Sequence, residues 1–238
     1  MALRLSTALR QQLMGEQLAY TSDTIAATDT PTLTDSDSQF LIEGFRPGML
    51  IEVSGFTGTA ANDQLMVVGD VTAGVMVVTV EVPLVGDEAG EDVTLTAYAQ
   101  AFRDIFNYGV LCIYTGNQPA NADTAPTGTL LLKITESSGA HVAGAVANGL
   151  NFDAPVAGVI GKNSTAWSGV GLATGTAGWF RFYSNLYLSM GAGLGADSLC
   201  FDGTVGTSGA QLNLSSVAIV TDATTTIDEF EITLPANA

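Results

Sequence analysis

The sequence predicts an all-β protein, and two observations support that prediction. Short apolar runs recur along the chain, and stretches rich in Gly, Thr, Ser and Asn separate them, as is typical of β-sandwiches and β-barrels. The densest aromatic run alternates between two sides with a period of two, with Trp179, Arg181 and Tyr183 on one side and Phe180 and Phe182 on the other. A strand that is bulky on both sides needs cover on both faces, so we expect it to be central in its sheet and Trp179, Phe180 and Phe182 to be core anchors.

A short amphipathic helix is predicted over residues 3–19. Its apolar side repeats every four residues, and its other side is basic: the apolar residues are Leu5, Leu9 and Leu13, and the basic residues are Arg4 and Arg10. A helix of this kind ahead of an all-β body is a candidate docking element, so these five side chains are candidate partner contacts. A lid over the end of a β-barrel is the alternative.

Residues 22–99 differ in composition from the rest of the chain. They contain 13 acids and one base, Arg46, and therefore most of the net charge of −17. Their apolar runs predict about five short strands, at 40–42, 49–53, 65–71, 75–80 and 93–96. This spacing predicts a small β-barrel or Ig-like module.

A helical pattern resumes at residues 101–107, directly after this acidic segment. We therefore interpret 22–99 as an insertion in a discontinuous main domain, which consists of residues 1–21 and 100–238. Seven or eight further strands are predicted there, enough for a β-sandwich or jelly-roll-like fold.

Charge and hydropathy exclude several classes of function. Acids outnumber bases 24 to 7, so the clustered Lys and Arg that nucleic acids and anionic membranes require are missing. No stretch resembles a secretory signal or is long enough to span a bilayer. Charged residues make up only 13% of the chain, about half the usual share of roughly 25%. We expect a protein made in the cytoplasm that buries much of its surface against neighbours.

Residues that could carry chemistry are few, and no catalytic, cofactor or metal site is predicted. His141 is the only histidine and lies in a Gly-Ala-rich stretch without a nucleophile motif, and zinc would need more ligands. Cys112 and Cys200 are expected as small buried hydrophobic residues, although a disulfide between them stays open. The Gly-rich stretch 189–198 lacks the lysine of a phosphate-binding loop and predicts a hairpin tip.

Carboxylates cluster at Asp87-Glu88 and Glu91-Asp92, and upstream at Asp35 and Asp37. Such oxygen clusters suit calcium, but the spacing of a calcium-binding loop is absent. Solvated turns are therefore the preferred interpretation, and structural calcium is the alternative.

Several motifs resemble a family of small virion structural proteins of tailed bacteriophages. They occur in the same order over most of residues 1–21 and 100–238: Met1–Arg10, Gly109–Asp123, Thr127–Leu131, Gly175–Phe182 and Asp202–Asn213. Separately, Gly48–Thr57 and Leu84–Gly90 resemble a small β module that is inserted in phage structural proteins, including tail tube proteins. Asp63–Leu65 stands where that module usually has an Asn-Gly turn.

The resemblance implies a non-enzymatic virion component without a cofactor, assembled in the host cytoplasm. Its partners would be the major capsid protein or tail proteins, and it would form a homo-oligomer without binding nucleic acid or membrane. A capsid decoration or head-surface protein is the first hypothesis, and a tail tube or baseplate subunit is the second. A carbohydrate-binding module is the third, because Trp167, Trp179 and Tyr183 could stack on sugars.

Overall fold

The computed structural model describes residues 3–187 and 199–233, and it confirms the all-β class. The chain forms two compact units. The main unit consists of Met1–Arg10, Ile105–Val142 and Ala147–Ala238, and the inserted unit consists of Gln11–Asp104 and Ala143–Val146. The inserted unit therefore begins before residue 22 and ends after residue 99, and it includes a short segment from later in the chain.

Eighteen strands and three short helices make up the described chain. The strands are Arg4–Leu5 (β1), Ala19–Ser22 (β2), Ile25–Thr28 (β3), Thr32–Asp35 (β4), Leu50–Ser54 (β5), Leu65–Val71 (β6), Val75–Val80 (β7), Val93–Ala97 (β8), Val110–Thr115 (β9), Leu130–Glu136 (β10), Val159–Gly161 (β11), Trp167–Val170 (β12), Gly175–Tyr183 (β13), Cys200–Gly206 (β14), Leu212–Asn213 (β15), Ala218–Ile219 (β16), Thr224–Ile227 (β17) and Glu231–Thr233 (β18). The helices are Thr7–Leu13 (α1), Phe40–Glu43 (α2) and Phe102–Phe106 (α3).

The inserted unit is a nearly closed, barrel-like antiparallel sheet in the order β2-β8-β5-β6-β7-β4-β3. Strand β5, residues 65–68 of β6 and residues 75–79 of β7 alternate between buried and exposed side chains, so one face of each strand lines a shared apolar core. The backbone of Gly144 also belongs to this unit, because its carbonyl accepts the N–H of Val71 at 2.7 Å. A Cβ on Gly144 would lie 1.9 Å from the Val71 carbonyl oxygen, so no other residue fits there.

The predicted strand at residues 40–42 is wrong, because this segment forms α2. The carboxylate of Asp35 accepts the N–H groups of Asp37 and Gln39 at 3.1 and 2.9 Å and thereby turns the chain ahead of the helix. Gly44 ends the helix in the left-handed region, at φ 102°. The apolar anchor of the turn is Phe40, which is fully buried.

The main unit is built on a sheet in the order β1-β14-β13-β9-β10-β12-β17, with β15 and β16 as short additions to β14 and β13. Strand β13 lies between β14 and β9, so the aromatic strand is internal, and most side chains of all three strands are buried on both faces. This burial gives the unit its β-sandwich character. One face carries a large aromatic cluster of Phe106, Phe152, Trp167, Phe180, Phe182, Phe201 and Phe230.

The N-terminal helix is shorter than the predicted span of residues 3–19. Arg4 and Leu5 pair with β14 as strand β1, so they are not helical. Ser6 then starts α1, because its carbonyl accepts the N–H of Arg10 and its hydroxyl accepts the N–H of Leu9. Gly15, at φ 99°, lies just beyond the end of the helix.

Candidate interaction surface

The leucines predicted to dock at the chain start do not share one exposed face. Leu9 is fully buried, Leu5 is half-buried, and Leu13 is 39% exposed. Arg10 is exposed and donates a hydrogen bond to the Thr7 hydroxyl on its own helix. Of the two leucines of α1, Leu9 therefore packs inside the protein and only Leu13 is exposed.

The two tryptophans are also inside the main unit. Trp167 and Trp179 are fully buried, as are Phe180 and Phe182. Trp179 stacks on Tyr114 with ring centroids 4.4 Å apart, and the Trp167 indole N–H donates to Asn163. Neither indole is exposed for stacking on a sugar ring, so the aromatic residues that suggested carbohydrate binding serve the core.

The sheet face that carries Trp179 also carries a row of charged side chains. In register across five neighbouring strands the row reads Arg4, Asp202, Arg181, Cys112 and Lys133. Three of the seven basic residues of the chain thus lie on one sheet face.

Asp202 is the centre of this row. Its carboxylate is fully buried and accepts hydrogen bonds from Arg181 Nη2 at 2.9 Å, Arg4 Nε at 3.2 Å and Gln118 Nε2 at 2.5 Å. Arg181 Nη1 also donates to the Thr124 carbonyl at 2.9 Å. The network joins β1, β13 and β14 to the loop that follows β9, and the three donors that converge on one buried carboxylate indicate a structural role.

The two cysteines and the histidine have shifted pKa values that make them poor nucleophiles or bases. Cys112 and Cys200 are free and buried, and burial raises the pKa of both thiols to about 11. Burial lowers the pKa of His141 to about 4, so its ring is neutral at pH 7. A buried thiol with a raised pKa is a poor nucleophile.

The acidic turns of the inserted unit are held by backbone amides. The carboxylate of Glu91 accepts the N–H groups of Thr57 and Gly58 at 2.8 and 2.9 Å. In residues 3–187 and 199–233, no three His, Cys, Asp or Glu side chains come together in a way that could hold a metal ion. A shallow cavity of about 270 Å³ in the main unit is lined partly by Asp153 and Asp228 and is similarly acidic.

The outward face of three neighbouring strands in the inserted unit is aliphatic. We call Leu50 of β5, Leu65 and Val67 of β6, and Val75 and Val77 of β7 the aliphatic face; each is between 37% and 50% exposed. Leu50 and Val67 are direct register partners, and a Cβ on Gly69 would lie 3.5 Å from Val77 Cγ1. Exposed positions of an antiparallel sheet are normally polar, so this face is unusual.

The unit that carries the aliphatic face is strongly acidic. Gln11–Asp104 contains 15 Asp and Glu residues and two arginines, a net charge of −13. Arg46 is buried, and burial lowers its pKa to about 9, while Arg103 bonds to the neighbouring carboxylate of Asp104. Glu52 lies within the face itself, as the register partner of Leu65.

The sequence alone could not reveal this face. Strands β6 and β7 contain consecutive apolar residues, so their period does not separate an inner from an outer side.

Comparison with known protein families, curated proteins and solved structures gave no match to this chain. Within the described residues, no helix combines the length and the hydrophobicity that crossing a membrane requires.

Proposed function

We propose that the chain is a non-enzymatic structural protein of a bacteriophage virion, namely a capsid decoration or other head-surface component. The observation that carries this proposal is the aliphatic face on an acidic unit, since exposed apolar patches of this kind mark protein contact sites. The resemblance of Gly109–Asp123 and Gly175–Phe182 to tailed-phage virion proteins supports the assignment to a phage particle.

A tail tube or baseplate subunit is the second candidate. An acidic wall repels the phosphates of DNA, which would let DNA slide through a tube without sticking. The likeness of Gly48–Thr57 to a module of tail tube proteins favours this alternative.

Size-exclusion chromatography with light scattering and negative-stain microscopy of the purified chain distinguish the two candidates. A decoration protein stays a monomer or a small oligomer. It also co-sediments with gene-deleted particles, that is, particles of a phage whose genome lacks the gene for this chain. A tube subunit forms rings or filaments without help. A discrete species that fails to bind such particles at any salt concentration would contradict the proposal.

A further inference from the structure

We infer that the aliphatic face of the inserted unit docks onto a protein surface with an aliphatic centre surrounded by Lys or Arg side chains. The inference rests on the proposed function and deepens it, because it names the contact surface and the chemistry of its partner.

The apolar part of the inference follows from the arrangement of the five side chains. They come from three hydrogen-bonded strands, so the sheet holds their backbones rigidly in one surface. Tyr98, 41% exposed, extends the face beside Leu50, whose carbonyl accepts its N–H at 2.9 Å. A rigid face of this kind loses little conformational entropy on binding.

The basic part of the inference follows from charge. Because Gln11–Asp104 has a net charge of −13, this face would repel a second copy of itself. It would also repel nucleic acid and an anionic membrane. A partner with exposed Lys or Arg is attracted instead. Glu52, whose carboxylate accepts the Tyr98 hydroxyl at 3.2 Å, would meet a cation at the edge of the aliphatic contact.

The two parts predict a contact that depends on both chemistries. The ionic attraction weakens as salt rises, because the charges are exposed and screened. The aliphatic contact persists and gives the specificity for this face.

The probe is a short fluorescent peptide of alternating Leu and Lys, titrated against the full chain by anisotropy at low and at physiological salt. The test variant is Val67→Thr with Val77→Thr, which keeps β-branched side chains of the same shape. The control is Val170→Thr with Val220→Thr, which makes the same change at exposed positions of the main unit, 42% and 55% accessible. Circular dichroism and thermal melts confirm that all proteins are folded.

We expect the test variant to bind the Leu–Lys peptide about tenfold more weakly than the unsubstituted chain, and the control to bind it equally well. A Ser–Lys peptide of equal charge should bind the unsubstituted chain at least about tenfold more weakly than the Leu–Lys peptide. Equal affinities of the test and control variants, or of the two peptides, would overturn the inference.

Binding to gene-deleted particles separates this inference from the proposed function. If the unsubstituted chain and the Val67→Thr, Val77→Thr variant bind particles equally, the inference is wrong and the virion function stands. If the unsubstituted chain does not bind particles while the peptides discriminate the two variants, the proposed function as a capsid decoration protein is wrong. The face then serves another basic partner.

Discussion

Replacing Asp202 with alanine tests the charged row of the main unit. The substitution leaves the guanidinium of Arg181, which is 3% exposed, without its counter-charge. Removing one partner of a buried ion pair costs about 3–5 kcal/mol of unfolding free energy. Arg4 adds little, because its side chain is 31% exposed and water can replace the lost contact. We therefore expect the main unit to lose about 4 kcal/mol.

Urea unfolding followed by tryptophan fluorescence measures this loss, because Trp167 and Trp179 both belong to the main unit. With a denaturant slope of about 2 kcal/mol per molar urea, the midpoint should fall by about 2 M. Asp104→Ala is the control. It breaks an ion pair of the inserted unit whose side chains are 34% and 37% exposed, so the midpoint that the tryptophans of the main unit report should barely change.

A double variant, Asp202→Leu with Arg181→Met, removes both charges together. It should be more stable than Asp202→Ala, because no uncompensated charge stays buried. If Asp202→Ala lowers the midpoint no more than Asp104→Ala does, the buried network does not hold the main unit together and the reasoning is wrong.

Three further predictions concern the pH dependence, the thiols and the aromatic core. Burial would raise the pKa of the Asp35 carboxyl, but hydrogen bonds from neighbouring groups outweigh it and hold the pKa below its ordinary value. The stabilisation by these hydrogen bonds is therefore complete above about pH 4 and is lost as the pH falls through the folded-state pKa. Asp35→Asn should flatten this part of a stability–pH curve, and an unchanged curve would contradict the assignment. Cys112 and Cys200 should react with a thiol reagent at pH 8 only after unfolding in denaturant, so rapid labelling of the native protein would contradict their burial. Phe182→Ala should cost about 3–5 kcal/mol in urea unfolding, because its ring contacts the centre of the aromatic cluster, whereas a cost below about 1 kcal/mol would show that the cluster repacks.

Local patterns predicted the strands where a distinct apolar run lies between turn residues or where bulky side chains alternate. The hairpin of residues 65–71 and 75–80 has the predicted bounds, and the aromatic alternation placed residues 175–183 inside a sheet. Strands β2, β3 and β4 were missed, because their short Thr- and Ala-rich sequences carry little hydrophobic signal and their packing decides their structure.

Long-range partners explain the other differences. The leucine repeat at the chain start favours a helix, but Arg4 and Leu5 pair with Asp202 and Phe201, nearly two hundred residues later. The same separation hid the charged row, because no local spacing relates Arg4 to Asp202. The aliphatic face was hidden in another way, since only the register shows that Leu50 and Val67 are neighbours. The predicted hairpin tip at residues 189–198 lies outside the described residues.

The backbone pairing of Gly144 with Val71 limits how the inserted unit can be exchanged between proteins. A graft of residues 11–104 alone would leave the N–H of Val71 without its acceptor, and any replacement cassette would have to accommodate Ala143–Val146 at the same edge. Recombination at two breakpoints would therefore transfer all seven strands of the sheet without this hydrogen bond, and a complete transfer needs a second, four-residue insertion.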